Sequence, residues 1–468
     1  MLSYFPKYFS DRAIYLYVAL LLIVSVAFGY PMAWYWWLFG LVEVAGFFYF
    51  SNQLSRQWSR YSSRYFEKRL FSTALWIRLV YVTFIFFFYK GMTGQPFEFG
   101  AADDLWYEDM ARLGARIVWG EDIKWKVFFG DTDPTDLGYP VWLTIIYSLT
   151  GKSIYLARCV KAVLSAYTAV LMYRLARRNF SEEVGRMTGV FCMLMPNLIY
   201  YCGVHLKETE MLFLTVVFIE KVDYILHTGR GKVKDWLIAL LALAATYFFR
   251  AALCAVMFLA FITAVILGNT RIKSGLRHCL EVLVVILLIG VVFGNVLSEQ
   301  TQVGDFADAQ AQQETNMNWR AEREGGNSYA VYAGAAVFAP LIFTLPFPTM
   351  VNIPYQQDQQ LIHGGNYVKN ITSFFTILAL LILLSSGKWR DHVLPLAFVC
   401  GYLVVLVFSS YAQSERFHIP SLPFELMIAA YGITSLRKKH VTWFTYWMAF
   451  IFVANVGWAW FKLRGRGM

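Results

Sequence analysis

The chain has 468 residues, of which 58% are hydrophobic, 18% are aromatic and only 15% are charged. This composition excludes an ordinary soluble domain and indicates an integral membrane protein embedded in a lipid bilayer. The net charge of +10 comes from Lys and Arg clusters between apolar runs rather than from one basic face, so we expect no nucleic-acid partner. The six cysteines form no CxxC pair and indicate neither disulfides nor zinc.

Apolar runs that are long enough to cross about 30 Å of hydrocarbon recur through the chain. The sequence therefore predicts an all-α polytopic membrane protein with about thirteen transmembrane helices. Basic clusters in short loops mark the cytoplasmic side, and they lie at residues 56–69, 174–186, 230–234, 271–277, 388–390 and 437–439. The spans that agree with these clusters are 13–30, 32–50, 71–89, 155–176, 186–203, 210–227, 236–250, 251–268, 280–297, 370–386, 392–411, 418–436 and 441–461.

The apolar piece GYPVWLTIIYSLTG (138–151) is too short for an ordinary crossing. If it did cross, the basic cluster at 174–186 would fall outside, so we predict an interfacial or re-entrant helix within one external loop, 90–154. A second external stretch, 298–369, contains prolines that argue against a straight span. The basic tail KLRGRGM then falls outside, against the rule for basic residues.

Four segments follow from this topology. We expect an additional N-terminal transmembrane hairpin at 1–50, a catalytic transmembrane module at 51–297, a proline-broken external loop at 298–369, and C-terminal transmembrane helices at 370–468. The expected location is the inner (cytoplasmic) membrane, with the active site on the extracytoplasmic side.

The external loop begins with EFGAADDLWYEDMARLGAR (98–116), which places four carboxylates close together in an apolar chain. Asp103 lies where a short helix begins, with Tyr107 and Ala111 at intervals of four on the same face. The alternative is that Asp103 or Asp104 merely caps the helix while Glu108 and Asp109 are solvated in its first turns.

A short loop between two spans carries charged residues at membrane depth or just above it. In YYCGVHLKETEMLFL (200–214), His205, Lys207 and Glu208 interrupt the boundary between two spans, where ionisable groups are often functional. The alternative there is an ion pair of Lys207 with Glu208 or Glu210. In the external loop, the stretch DTDPTD (131–136) resembles a DxD metal motif, but its proline favours a turn.

Arg250 lies between two apolar runs, where two spans meet on the external side. A permanent cation there favours an anion, and a guanidinium can bind two phosphate oxygens. The alternative is that Arg250 reaches lipid headgroups. Arg416 and His418 belong to another external turn, SSYAQSERFHIPSLPFELMIAAYG (409–432), which by itself is an ordinary polar turn.

These motifs together resemble the GT-C class of integral-membrane glycosyltransferases with polyprenyl-phosphate donors, such as protein O-mannosyltransferases and the aminoarabinose transferase of lipid A. The family motif D-E-x-x-Y-x-x-x-A is similar to Asp103, Asp104, Tyr107 and Ala111, with Asp in place of Glu. The G-x-P helix, the span ending LARRNF, the acid near Glu208, the Arg in a later span and the pattern RFHIPSLP follow in order. The two spans in residues 1–50 depart from the family.

The resemblance implies transfer of a sugar from a polyprenyl-phosphate donor, with inversion, to a glycolipid, polysaccharide or protein acceptor. It implies Asp103 as general base, with Asp104 as the second catalytic candidate. Whether a divalent metal, Mg²⁺ or Mn²⁺, assists the carboxylates stays open. The donor phosphate would contact Arg250, Lys207 and Arg416, and the substrates would contact Tyr107, Glu208, His205, His418 and Tyr139.

Two other functions fit parts of the same pattern. A lipid-linked oligosaccharide polymerase or ligase shares the lipid donor, but it need not carry the early Asp-Asp-x-x-Tyr loop. A transporter or flippase of polyprenyl-linked sugars would favour internal repeats and charges at the midplane. The sequence shows no convincing repeat, and its charges gather on one side, which favours a transferase.

Overall fold

The computed structural model describes residues 3–130, 133–229, 231–269 and, with short gaps, 315–468. Within these residues the regular elements are all helices, which confirms the all-α prediction. The predicted span 280–297 lies outside the described residues. Six described helices are long and apolar enough to cross a membrane, namely Lys7–Phe28, Ser63–Thr93, Ile154–Asn179, His363–Ser385, Lys388–Phe408 and Lys438–Arg464.

The first twelve helices run from the N-terminus to residue 267, with one 3₁₀ turn at Pro134–Asp136. They are α1 (Lys7–Phe28), α2 (Trp34–Trp58), α3 (Ser63–Thr93), α4 (Asp103–Val118), α5 (Trp125–Phe129), α6 (Gly138–Thr150), α7 (Ile154–Asn179), α8 (Glu182–Leu194), α9 (Pro196–Gly203), α10 (Glu208–Thr228), α11 (Val233–Phe249) and α12 (Ala251–Leu267).

The C-terminal part combines short external helices with long apolar ones. The described helices are Ala335–Phe338, Gln357–Leu361, His363–Ser385, Val393–Phe408, Glu415–His418, Leu422–Thr434 and Lys438–Arg464, and the 3₁₀ turns are Ser328–Tyr332, Ala339–Leu341 and Lys388–His392.

Local chemistry explains where several helices begin and end. The hydroxyls of Ser153 and Ser181 accept hydrogen bonds from backbone N–H groups in the first turns of α7 and α8. Helix α3 ends at Gly94 with φ of 80°, a left-handed conformation that glycine adopts at little cost. Ser153 thus separates the short helix α6 from the long helix α7.

One predicted span, 186–203, is wrong as a single helix. It divides into α8 and α9 around Met195, whose backbone is extended with ψ of 116°. The cause is Pro196, which lacks an N–H group and disfavours helical backbone in the residue before it.

The long helix α7 lies at the centre of the bundle and packs against α3, α8 and α10. Helix α2 packs against α8 and His363–Ser385, while α1 packs against Lys438–Arg464, so the N-terminal hairpin is part of the same bundle. On the predicted external side, α4 and α6 pack against each other, and α6 also contacts α11.

Candidate functional site

Helix α4 places Asp103 and Asp104 in its first turn, where the helix dipole favours negative charge. The N-cap is Ala102 and no side chain caps the helix, so the alternative of a capping Asp103 or Asp104 is wrong. The Asp103 side chain is 56% exposed, whereas Asp104 is almost fully buried. Only the first of the two carboxylates therefore faces open space.

A single guanidinium joins two of the predicted carboxylates. Arg416 Nη1 lies 2.5 Å from Asp103 Oδ2, and Arg416 Nε donates a hydrogen bond to Glu208 Oε1. The Glu208 side chain is fully buried at the start of α10, and Arg416 belongs to the four-residue helix Glu415–His418. The acidic loop, the 200–214 loop and the 409–432 turn thus meet at one point.

Two more predicted cations lie beside this pair. Arg250 has an extended backbone between α11 and α12, and its guanidinium carbon lies 4.5 Å from the ring centre of Phe417. Its Nη1 atom is buried and has no hydrogen-bond partner among the described residues. Lys207 donates to the Phe249 carbonyl at 2.8 Å, which brings it to the residue before Arg250.

The alternative of an ion pair between Lys207 and Glu208 or Glu210 is wrong. Lys207 forms its ion pair with Asp136, from the 3₁₀ turn that precedes α6. Glu210 instead lies 3.7 Å from Lys161 of α7. The reason is packing, because α6 and its preceding turn lie against α11 and bring Asp136 to the end of that helix.

The alternative that Glu108 is solvated in the first turns of α4 is also wrong. Its side chain is 4% exposed and accepts hydrogen bonds from Arg112 Nε at 2.5 Å and from the Tyr147 hydroxyl. His205 Nε2 lies 3.3 Å from Glu108 Oε2. Burial alone would raise the pKa of Glu108, but its contacts with His205 and Tyr147 outweigh burial and lower it.

His205 is fully buried, and burial lowers the pKa of its ring, which favours the neutral form. Its ring lies beside Glu108 and not beside Asp103 and Glu208, the carboxylates that Arg416 binds. Glu108 lies on the buried face of α4 because the interval of four from Asp104 repeats that face.

Tyr107 and Tyr139 form a buried aromatic pair, with ring centres 5.0 Å apart in an edge-to-face arrangement. Lys161 Nζ lies 3.4 Å from the Tyr139 hydroxyl and 2.8 Å from the Val204 carbonyl. Sequence reasoning did not select Lys161, although a lysine inside an apolar helix is a signal of a functional or structural contact.

Two further carboxylates, Glu98 and Asp358, lie near Asp104. Asp104 Oδ2 and Glu98 Oε1 are buried without hydrogen-bond partners in the described residues. Burial, and then the neighbouring Asp104 charge, raise the pKa of Glu98. Asp358 accepts hydrogen bonds from the Tyr89 hydroxyl at 3.1 Å and the Gly100 N–H at 3.3 Å. Asp104 is thus enclosed by other residues of the protein.

Sequence reasoning missed Glu98 and Asp358. Glu98 precedes the acidic motif by only five residues, and Asp358 lies in the polar run QQDQQ. Their positions in polar stretches were only weak indications that either residue lies near the site. The described residues contain no group of three or more His, Cys, Asp or Glu side chains that could hold a metal ion.

His418 is the last residue of the short helix that carries Arg416, and it points into the protein. It is 1% exposed, and its Nε2 lies 2.8 Å from the Ala412 carbonyl while its Nδ1 lies 2.7 Å from Lys369 Nζ. Lys369 in turn lies 3.7 Å from Glu425 Oε2. These buried contacts anchor the helix Glu415–His418 to the rest of the protein. The stretch is therefore more than an ordinary polar turn.

Comparison with known proteins bears on the middle of the chain. Residues 137–293 match the family model described as dolichyl-phosphate-mannose-protein mannosyltransferase, and this stretch contains Lys207, Glu208 and Arg250. No curated protein and no solved structure matches the chain. The match spans 157 of the 468 residues, so the chain is similar to this glycosyltransferase family over about a third of its length, and its long apolar helices are those of a multi-pass membrane protein.

Proposed function

We propose that this protein transfers a sugar from a polyprenyl-phosphate donor to an acceptor on the extracytoplasmic side of the inner membrane, with Asp103 as general base. The observation that carries the proposal is the contact of Arg416 with both Asp103 and the buried Glu208. It fixes one accessible carboxylate beside two further cations, Arg250 and Lys207. A sugar phosphate ester needs such a combination of a base and phosphate-binding cations.

In the proposed reaction, an acceptor hydroxyl attacks the anomeric carbon of the donor sugar. The new bond joins the acceptor oxygen to this carbon, and the bond from the carbon to the phosphate oxygen breaks. Polyprenyl phosphate leaves with the bonding electron pair, and Asp103 takes the acceptor proton. The resemblance to the GT-C class implies inversion, and phosphate as leaving group makes external ATP unnecessary.

The three cations have different roles in this proposal. Arg250 is the best candidate to bind the donor phosphate because one of its guanidinium nitrogens has no partner in the described residues. Lys207 lies next to it in space and adds a second positive charge. Arg416 is already bonded to two carboxylates, so we assign it chiefly to holding Asp103 in position.

Asp103 is a better base than Asp104 on grounds of access. An acceptor hydroxyl must approach within about 3 Å of the base, directly or through one water. The Asp103 side chain is 56% exposed, but Asp104 is 1% exposed and lies against Glu98. The glycolipid, polysaccharide or protein acceptor would enter from the open side of α4.

The test is a donor assay with the purified full-length protein in liposomes. Polyprenyl-phosphate donors carrying different labelled sugars are incubated with the protein, and loss of donor is measured together with release of polyprenyl phosphate. We expect cleavage of at least one phosphate-linked donor and none of nucleotide sugars. Cleavage restricted to pyrophosphate-linked donors would refute the proposal in favour of a polymerase or ligase.

A further inference from the structure

A large cavity opens in the bundle among α3, α7, α10 and α11, with a volume of about 1100 Å³. Its wall contains both apolar and charged side chains. The apolar ones are Tyr167, Leu171, Phe213, Val217, Tyr224 and Ile238, the cations are Arg174, Arg177, Arg178, Lys221, Lys232 and Lys234, and the carboxylates are Glu67, Glu220 and Asp235.

This cavity lies far from the proposed active site. Helix α10 begins with Glu208 at that site and ends with Thr228, which lines the cavity. Twenty residues of helix span about 30 Å at about 1.5 Å per residue, which is the thickness of the bilayer hydrocarbon. The cavity therefore lies at the opposite membrane boundary, where the basic clusters predict the cytoplasmic side.

Two facing helices contribute matched stripes to the cavity. Successive lining residues on each helix are separated by four, three and four positions, which places them on one face. Both stripes are apolar towards the membrane interior and become charged or polar towards the helix end. They are Tyr167, Leu171, Arg174 and Arg178 on α7, and Phe213, Val217, Glu220 and Tyr224 on α10.

The charged end of the cavity has an excess of cations. Arg174 forms an ion pair with Glu67 at 2.6 Å, and Arg178 pairs with Glu220 at 3.1 Å. Lys232 and Lys234, at the start of α11, are exposed and form no ion pair in the part of the chain that the structure describes. Six cations and three carboxylates line this end, but Glu182 and Asp223 also pair with Arg177 and Arg178. The positive charge that remains uncompensated by an ion pair in the described residues is therefore that of Lys232 and Lys234.

We propose that this cavity binds an anionic phospholipid. Its headgroup phosphate would lie near Lys232 and Lys234, with the acyl chains along the apolar part of the two stripes. A basic pocket between membrane helices on the cytoplasmic side suits an anionic headgroup. The apolar wall distinguishes this ligand from a free nucleotide or inorganic phosphate, which would gain nothing from Phe213 or Leu171.

The experiment compares lipid retention by native mass spectrometry. Full-length protein is purified in mixed micelles that contain equal amounts of phosphatidylglycerol and phosphatidylcholine. We expect the unmodified protein to retain phosphatidylglycerol preferentially, and the double variant Lys232→Gln, Lys234→Gln to lose roughly tenfold or more of that preference, because each lysine near an anionic lipid contributes about fivefold. Both lysines are exposed, so their replacement leaves the core intact.

The matched control is Lys438→Gln with Lys439→Gln, two exposed cations outside the cavity. The control should bind phosphatidylglycerol as the unmodified protein does. Equal loss in the control would overturn the proposal, because it would show attraction by overall charge alone. Displacement of the lipid by excess inorganic phosphate would also overturn it and would assign the cavity to a free anion.

Discussion

Replacement of Arg250 by alanine should weaken donor binding more than any other single change at the site. The variant removes a guanidinium whose Nη1 is buried without a hydrogen-bond partner in the described residues, and which packs on the ring of Phe417 beside Tyr402 and Glu208. A lost bidentate phosphate contact costs about 1.5 to 3 kcal/mol, which corresponds to a roughly 10- to 150-fold higher Kd. The lost ring contact by itself costs the folded protein about 0.5 to 2 kcal/mol.

The assay measures donor affinity with a labelled polyprenyl-phosphate sugar and the protein in liposomes. Arg250→Lys should recover part of the affinity, because lysine keeps the charge but cannot bind two oxygens with one planar group. Arg116→Ala is the matched control, since Arg116 lies at the far end of α4 and pairs with Glu121. Unchanged donor affinity in Arg250→Ala would mean that Arg250 only reaches lipid headgroups.

Three further predictions concern stability and topology. Glu208→Gln should destabilise the protein by about 3 kcal/mol, because it removes the buried partner of Arg416. Asp103→Asn replaces the exposed partner of Arg416 and should cost under about 1 kcal/mol. Equal shifts of the thermal unfolding temperature in the two variants would contradict the burial argument. Burial lowers the pKa of His205 from 6.5, so its contribution to stability is complete above pH 6.5 and is lost as pH falls through the lower folded pKa. On acidification, the melting temperature should therefore fall less in His205→Gln than in the unmodified protein. The same dependence of melting temperature on pH in both proteins would refute this. Asp133→Cys should react with an impermeant thiol reagent in intact cells, and protection until lysis would contradict an external loop.

Hydrophobicity was sufficient to predict most of the helices. The apolar runs determine where α1, α3 and α7 lie, because about 20 apolar residues in a row have few other stable arrangements in a membrane. The break at Arg250 was also predictable, since a permanent cation between two apolar runs favours a chain reversal near the surface. The short length of 138–151 likewise predicted a helix separate from α7, as observed for α6.

The partners of the charged residues could not be predicted in the same way. Arg416 and Asp103 are 313 positions apart, and only the packing of the bundle brings them together. Chain spacing offered only Glu208 and Glu210 as partners for Lys207, yet its ion pair is with Asp136, about 70 positions earlier. Local spacing predicts contacts on one helix, but it contains no information about which helices meet.

Burial of polar groups was a second source of error. The acidic helix α4 looked solvated because its sequence is polar, but its Asp104 and Glu108 face the neighbouring elements. Glu108 is stable there because Tyr147, from α6, donates a hydrogen bond to it. A periodicity of four in the acidic residues indicated one face, but not whether that face was exposed.

The most direct test of the proposed mechanism is turnover by Asp103→Asn with donor affinity measured in parallel. The amide keeps the size of the side chain but cannot accept the acceptor proton, so we expect turnover to fall roughly a hundredfold or more while the donor Kd stays nearly constant. Asp109→Asn, exposed on another face of α4, should turn over normally. Near-normal turnover by Asp103→Asn would contradict the assignment of Asp103 as general base.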